Sequence, residues 1–383
     1  MDVACVHCRD YDLGRVRDSV ERLLSSPFIA GRVQGREEVL LKVNCLNPHP
    51  PERGVTTHPA LVRALCDALR ERGAKVKVGD SAGGVRGKAH TAQALKASGL
   101  AQAALEAGAE VVNFDAQKAV PVTNLRKEGP DPLYLAASLR QGNLVINVPK
   151  LKTHLFTGLS AAVKNCYGGL PGAYKHQLHR DYPEVSEFSD VLVDVCLAVA
   201  PELCIMDAVW SMEGNGPAMG TLVNTGLLLA TTDPFVMDMA ACQVVRWPFD
   251  SVSTNRQARR RGLMDENQAI LVWGDPLQGQ NQRPFRRPLS MSLTHRIPGW
   301  LLAVAFDWLQ PTVVVDDETC TGCGFCVDSC PAQAMSVKHG RATVHRDRCI
   351  ACYCCVELCR QQSVDLKRRY WVRWQESYGG RTR

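Results

Sequence analysis

Two cysteine runs near the carboxyl end constrain this chain more than any other feature: "CTGCGFCVDSCP" over residues 320–331 and "CIACYCCVELCR" over 349–360. Cys320, Cys323 and Cys326 follow Cys-x-x-Cys-x-x-Cys, Cys330 stands four places on, and Pro331 closes the run. Cys349, Cys352, Cys355 and Cys359 repeat the spacing. Thiolates so spaced hold iron–sulfur cubanes, so the two runs predict two [4Fe-4S] clusters and leave Cys354 without a ligand position. Zinc sites favour paired Cys-x-x-Cys knuckles, and disulfide frameworks belong to small secreted chains; neither fits as well. Between the runs, "AMSVKHGRATVHRDRC" reads as a strand, a turn at His339-Gly340 and a returning strand.

Residues 313–366 thus resemble the bacterial two-cluster ferredoxin domain. In that domain the fourth cysteine of each run crosses to the other cluster. The resemblance therefore implies one centre on Cys320, Cys323, Cys326 and Cys359, and a second on Cys330, Cys349, Cys352 and Cys355. Arg360 departs from the family, which usually has proline there, and is expected to loosen the turn beside Cys359.

With 383 residues, 45% of them hydrophobic, the chain is long enough for two or three domains with a sizeable core. Seventeen cysteines less the eight in ligand positions leave nine without a framework spacing, which points to a reducing, cytoplasmic setting. The opening "MDVACVHCRD" lacks a leader pattern, and no apolar run approaches the roughly 18 residues of a membrane span. A net charge of +6 without basic runs interleaved by aromatics argues against nucleic acid. The basic tail, 367–383, begins "KRRYWVRW" and reads as a solvated extension or as a patch for an anionic membrane or partner. Within a linker at 291–312, "PGWLLAVAFDWLQP" (298–311) is expected to form a helix docking the cluster domain.

Residues 1–290 alternate strand-like and helical segments: "VACVHC", "LGRVRDSVERLLSS", "EVLLKVNCL", "HPALVRALCDALRERG", "KVKVGD" and onward to "NLVINVP", "LCIMDAV" and "TGLLLATT". The alternation predicts an α/β fold with a mostly parallel sheet and flanking helices. Ligands of open α/β sheets sit at the carboxyl ends of strands. Those ends carry Asp80, Lys150, Lys152, His154, Asp207, Glu213, Asn215 and Asp233, with Lys164, Asn165, Lys175, His176, His179 and Arg180 close behind. Lys150, Lys152 and His154 alternate, so an extended backbone puts all three on one side. The cluster reads as a carboxylate or phosphate pocket or, more blandly, as a basic surface. The glycines of "GDSAGG" and "EGNGP" read as an anion nest or as ordinary turns. Cys5 and Cys8 have dithiol spacing, but strand alternation sends them to opposite faces; Cys166 and Cys45 read as small buried residues or activated thiols.

"TTHP", "VGDSAGG", "AEVVNFD", "VINVPKLKTH", "AVKNCYGGLPG" and "MEGNGPAMG" stand in the order seen in the domain-of-unknown-function 362 family, which this chain resembles over about residues 38–275. The resemblance implies an iron–sulfur-linked α/β protein with no settled reaction, and it marks Thr57, His58, Asp80, Lys150, Lys152, His154, Lys164, Asn165, Asp207, Glu213, Asn215 and Asp233.

The expectation is an iron–sulfur oxidoreductase, a ferredoxin-dependent reductase. It would take electrons from a carrier of ferredoxin or flavodoxin type to a small anionic substrate. Lys150, Lys152, His154 and Lys164 are expected to converge with Asp80, Asp207 and Glu213 around that substrate. His154, with an ordinary pKa near neutrality, is the expected proton donor, and the lysines are expected to hold charge. The alternatives are a non-catalytic carrier or assembly partner docking a larger redox enzyme, and an acid–base enzyme whose clusters are structural. No flavin or nicotinamide fingerprint is present.

Overall fold

The structure is a computed structural model describing residues 1–84, 86–142, 144–265, 267–281, 283–291 and 311–368. Ten strands make the main sheet: β1 (Asp2–His7), β2 (Glu38–Lys42), β3 (Lys75–Asp80), β4 (Glu110–Asn113), β5 (Leu144–Asn147), β6 (Lys150–His154), β7 (Gly158–Ser160), β8 (Leu203–Glu213), β9 (Thr221–Thr231) and β10 (Leu271–Gly274). Their order is β10-β1-β9-β8-β5-β2-β3-β4, with β6 pairing β8 and carrying β7. From β8 through β4 the neighbours are parallel; β9 runs antiparallel to both β8 and β1. This is the expected mostly parallel α/β sheet, with an antiparallel insertion.

Period-2 alternation decides which face each side chain serves. In "VLLK", Val39 and Leu41 join the apolar cluster under the helices Leu13–Leu24 and Pro59–Glu71, while Leu40 and Lys42 point to the other face. Cys5 and Cys8 enter different apolar clusters, as alternation requires, and burial pushes Cys5 up to about 12. They are core residues on separate faces. Three helices start on caps set by local sequence: Asp12, His58 and Asp233 each accept a backbone N–H of the first turn.

The carboxyl-terminal unit pairs β11 (Pro311–Val315) with β14 (Val364–Arg368), and β12 (Met335–Lys338) with β13 (Arg341–Val344). His339 and Gly340 both have positive φ, 48° and 74°, the type I′ geometry that the two-residue turn demands. The helix expected over 298–311 lies outside the described residues except for Pro311, which opens β11; Lys367 and Arg368 of the tail belong to β14.

The two units share a core. Leu40, Phe188 and Val191 of the large unit belong to one contiguous apolar cluster with Val313, Met335, Tyr353 and Val356 of the small one. A Cβ on Gly83 would meet Leu358 Cδ2 at 2.7 Å, and one on Gly84 would meet Phe325 Cζ at 2.9 Å. The glycines of "GDSAGG" are thus the seat of the small unit, because its apolar side chains rest where any side chain would stand. The Arg86 and Arg360 guanidiniums both stand over the Phe325 ring, 4.9 and 5.3 Å from its centre. Arg86 also pairs with Asp328 at 2.6 Å, and Arg360 bonds His90 Nδ1 at 2.8 Å and Gln93 at 3.1 Å. Arg360 therefore ties the turn after Cys359 to the large unit, where loosening was expected from the missing proline.

Candidate functional site

β2, β3 and β6 deliver their last side chains into a cavity of about 100 Å³. Lys42, Lys152, Lys164 and Lys175 line it, with only Asp80 and Glu357 as carboxylates. The helix Cys354–Leu358, which sits inside the second cysteine run, closes it with Cys354, Glu357 and Leu358.

Lys42 and Asp80 form a buried ion pair at 2.7 Å. Asp80 also accepts the Cys45 N–H at 2.7 Å and the Ser81 N–H at 2.9 Å; burial raises its pKa, against the pull of Lys42. Gly168 must be glycine here, because a Cβ would overlap the Asp80 carboxylate. Lys175 caps the carbonyls of Ser81 and Ala82 at 2.9 and 2.8 Å.

Lys152 bonds Asn44 Oδ1 at 2.7 Å and the Val55 carbonyl. Since an ammonium only donates, that contact fixes which end of the Asn44 amide is oxygen; its Nδ2 then donates to Asn165 at 2.9 Å, and Asn165 to Asn147 at 2.7 Å. Burial, then Lys164, pushes Lys152 down to about 7. Lys164 has no hydrogen bond or ion pair among the described residues; it stands 5.6 Å from the Tyr167 ring centre, and burial lowers its pKa.

His154 Nδ1 accepts the backbone N–H of Phe156 at 3.1 Å, so the ring proton sits on Nε2, which faces Glu357 Oε1 at 3.2 Å. Burial, then Lys164 and Lys152, hold His154 well below its ordinary pKa, and His179 is likewise depressed by burial. Glu357 is raised by burial to about 7, against Lys164 and Lys152. An imidazole buried among ammoniums is held in its neutral form, so His154 has an N–H to give but no charge. Lys152 is the ammonium brought to about 7.

Of the predicted residues, Asp80, Lys152, His154 and Lys164 share the cavity, whereas Lys150, Asp207 and Glu213 do not line it. Lys150 pairs with Asp207 at 3.0 Å and with Tyr11 Oη at 2.5 Å; Asp207 also bonds Tyr11 and the His58 N–H. Glu213 is clamped by Arg283 and Arg286 at 2.6 and 2.7 Å; burial works to raise its pKa, but the two arginines hold it at about 2. Asp233 caps a helix, Asn215 accepts the Leu289 N–H, and Thr57 bridges Asn44 and Val148. Cys166 is fully buried with its thiol 3.7 Å from that of Cys196. The reading missed Lys42, Asn44 and Glu357. A lysine inside the apolar "EVLLKV" was the available signal for the first; nothing local marked the other two.

The cysteines fall into two groups. Cys330, Cys349, Cys352 and Cys355 line a second, largely apolar cavity, together with Cys354. Cys326 has Cys359, Cys323 and Cys320 near it. Backbone N–H groups of Ala334 and Ala342 donate to the sulfurs of Cys330 and Cys320, at 3.1 and 3.4 Å, a contact of the kind that tunes cluster sulfurs. The thiols present fit [4Fe-4S] binding, and Cys354 is the one residue common to both cavities.

A parallel-centred α/β unit whose strand ends are closed by a ferredoxin-type domain defines the class: an iron–sulfur α/β protein equipped for electron transfer. The chain belongs to the family described as "Domain of unknown function (DUF362)", matched over residues 39–243, and a "4Fe-4S dicluster domain" is matched over 312–360. It is 30% identical over 268 residues to the thylakoid-associated protein sll1697 of Synechocystis sp., across 68% of this chain and 79% of that one. A solved structure, the lactate racemase apoprotein from Thermoanaerobacterium thermosaccharolyticum, aligns with a TM-score of 0.44 at 16% identity. That alignment covers 63% of this chain and 56% of the racemase. No helix among the described residues is long and apolar enough to cross a membrane.

Proposed function

We propose that the chain is an iron–sulfur oxidoreductase that reduces a small anionic substrate in the lysine-lined cavity. One [4Fe-4S] cluster is assigned to Cys320, Cys323, Cys326 and Cys359, and a second to Cys330, Cys349, Cys352 and Cys355. When bound, the clusters supply single electrons at low potential. The observation that carries the reading is the helix Cys354–Leu358, which lies against the second thiol group and also forms a wall of the cavity.

Four lysines against two carboxylates leave an excess of positive charge in a space that admits only a few heavy atoms. Lys164, with no partner among the described residues, holds the anion. Lys42 and Lys175 are committed to Asp80 and to carbonyl oxygens, and they supply field rather than contact. Reduction builds negative charge on the substrate, which these preorganised ammoniums stabilise. Lys152, poised near neutrality, gives up the proton, and the amide chain Asn44–Asn165–Asn147 keeps it aimed. His154 donates a neutral N–H and orients Glu357. The electron donor is a carrier of ferredoxin or flavodoxin type.

The test is reduction of the clusters in the intact chain, followed by screening of small carboxylates and oxyanions for substrate-dependent cluster reoxidation. Lys164→Met should abolish that reoxidation with iron content and folding unchanged. No reoxidation by any such anion, with reduced clusters passing electrons only to a protein acceptor, would favour the carrier role.

A further inference from the structure

Five cysteines occupy 349–359 where four ligand positions exist, and the fifth is placed in neither solvent nor bulk core. Cys354 is 6% exposed and borders the thiol-lined cavity on one side and the lysine-lined cavity on the other. Cys354 packs with Cys352 in one small cluster and lines the thiol-lined cavity beside it. A thiol in its ordinary range is protonated at neutral pH and has an S–H to give. On the far side, Lys164 has Glu357 and Cys354 beside it, with Lys152, His154 and His179 also within electrostatic reach. His179 also lines that cavity, and its buried Nδ1 has no hydrogen-bond partner among the described residues.

We propose that Cys354 is a positioning residue that couples the pocket to the second cluster: its S–H donates to the Cys352 ligand sulfur, raising that cluster's potential, while its pocket side meets the anion held by Lys164. Hydrogen bonds to ligand sulfurs draw charge from a cluster and favour its reduced form. The pocket half of this inference rests on the anion-binding reading above; the thiol–thiolate bond does not. The competing role is packing, since Cys354 also belongs to a small apolar cluster with Phe325, Cys352 and Leu358.

The experiment uses the full, cluster-loaded chain as wild type, Cys354→Ala and Cys354→Ser. Iron content, a redox titration followed by electron paramagnetic resonance, and the resonance spectrum with and without acetate are measured on each. All three proteins should hold about eight irons. Cys354→Ala should move one of the two potentials lower and leave the other in place, and Cys354→Ser, which keeps a donor, should sit close to wild type. Acetate should alter the signal of that same cluster in wild type and not in Cys354→Ala. Identical potentials in all three proteins would overturn the proposal in favour of packing, and loss of iron from both variants would overturn it by making Cys354 a ligand. A lowered potential in Cys354→Ala with no acetate response in any protein would uphold the sulfur–sulfur bond and overturn the pocket coupling.

Discussion

Raising the pH through about 7 should release small anions from the pocket, and Lys152 should be a principal cause. Its ammonium is 1% exposed and pushed from 10.5 to about 7, first by burial and then by Lys164. At 1.36 kcal/mol per pKa unit, keeping that charge costs about 5 kcal/mol, which a bound anion relieves in part. Below pH 7 the lysine is already charged, and affinity is flat. Above it, binding must first take up a proton, so affinity falls by about tenfold per pH unit, over a span of no more than about 3.5 units. The same shift makes Lys152 a stability term of opposite slope: between about 7 and 10.5 the unfolded chain binds the extra proton, so stability from this residue rises with pH. Calorimetric titration with acetate from pH 6 to 9, in buffers of different ionisation enthalpy, counts the protons taken up. Glu357 titrates in the same window, so the comparison belongs in a Glu357→Gln background, where the remaining slope is that of Lys152. Lys152→Met added to that background should give weak, pH-independent binding. A flat profile with Lys152 present, or an unchanged slope without it, would refute the reasoning.

Two further outcomes follow from packing and charge. Gly84→Val should undock the small unit without loss of iron, because its Cβ would meet Phe325 at 2.9 Å, the ring is held by Arg86 and Arg360, and φ is +97°; small-angle scattering would show an enlarged particle, and an unchanged radius would count against the glycine seat. Asp80→Asn should cost about 3–5 kcal/mol by leaving Lys42 charged and buried; in denaturant unfolding, Lys42→Met on top of it should recover part of the loss, whereas simple addition of two losses would show the pair to be uncoupled.

The cluster unit was legible because its information is local: ligand spacing, the His339-Gly340 turn and the alternation around it are properties of neighbours along the chain. The large sheet was legible for the same reason, strand by strand, down to Cys5 and Cys8 on opposite faces. Lys150, Lys152 and His154 do lie along one strand, yet each is met by a different partner, and the first belongs to a separate ion pair with Asp207. Glu213 looked like a strand-end acid and is neutralised by arginines some seventy residues on. Glu357 and Cys354, read only as neighbours of ligands, close a pocket whose other walls, apart from the neighbouring Leu358, lie about 140 residues or more upstream. Charge states were hidden from the sequence for the same reason. A pKa depends on burial and on charges brought near by folding, so His154 kept no trace in the sequence of the two ammoniums that hold it neutral, nor Lys152 of the burial that brings it to about 7. Short-range pattern determined the elements and the thiol groups; which groups meet across them, and in what charge state, was decided only by tertiary packing, because both are set by distances that no local spacing encodes.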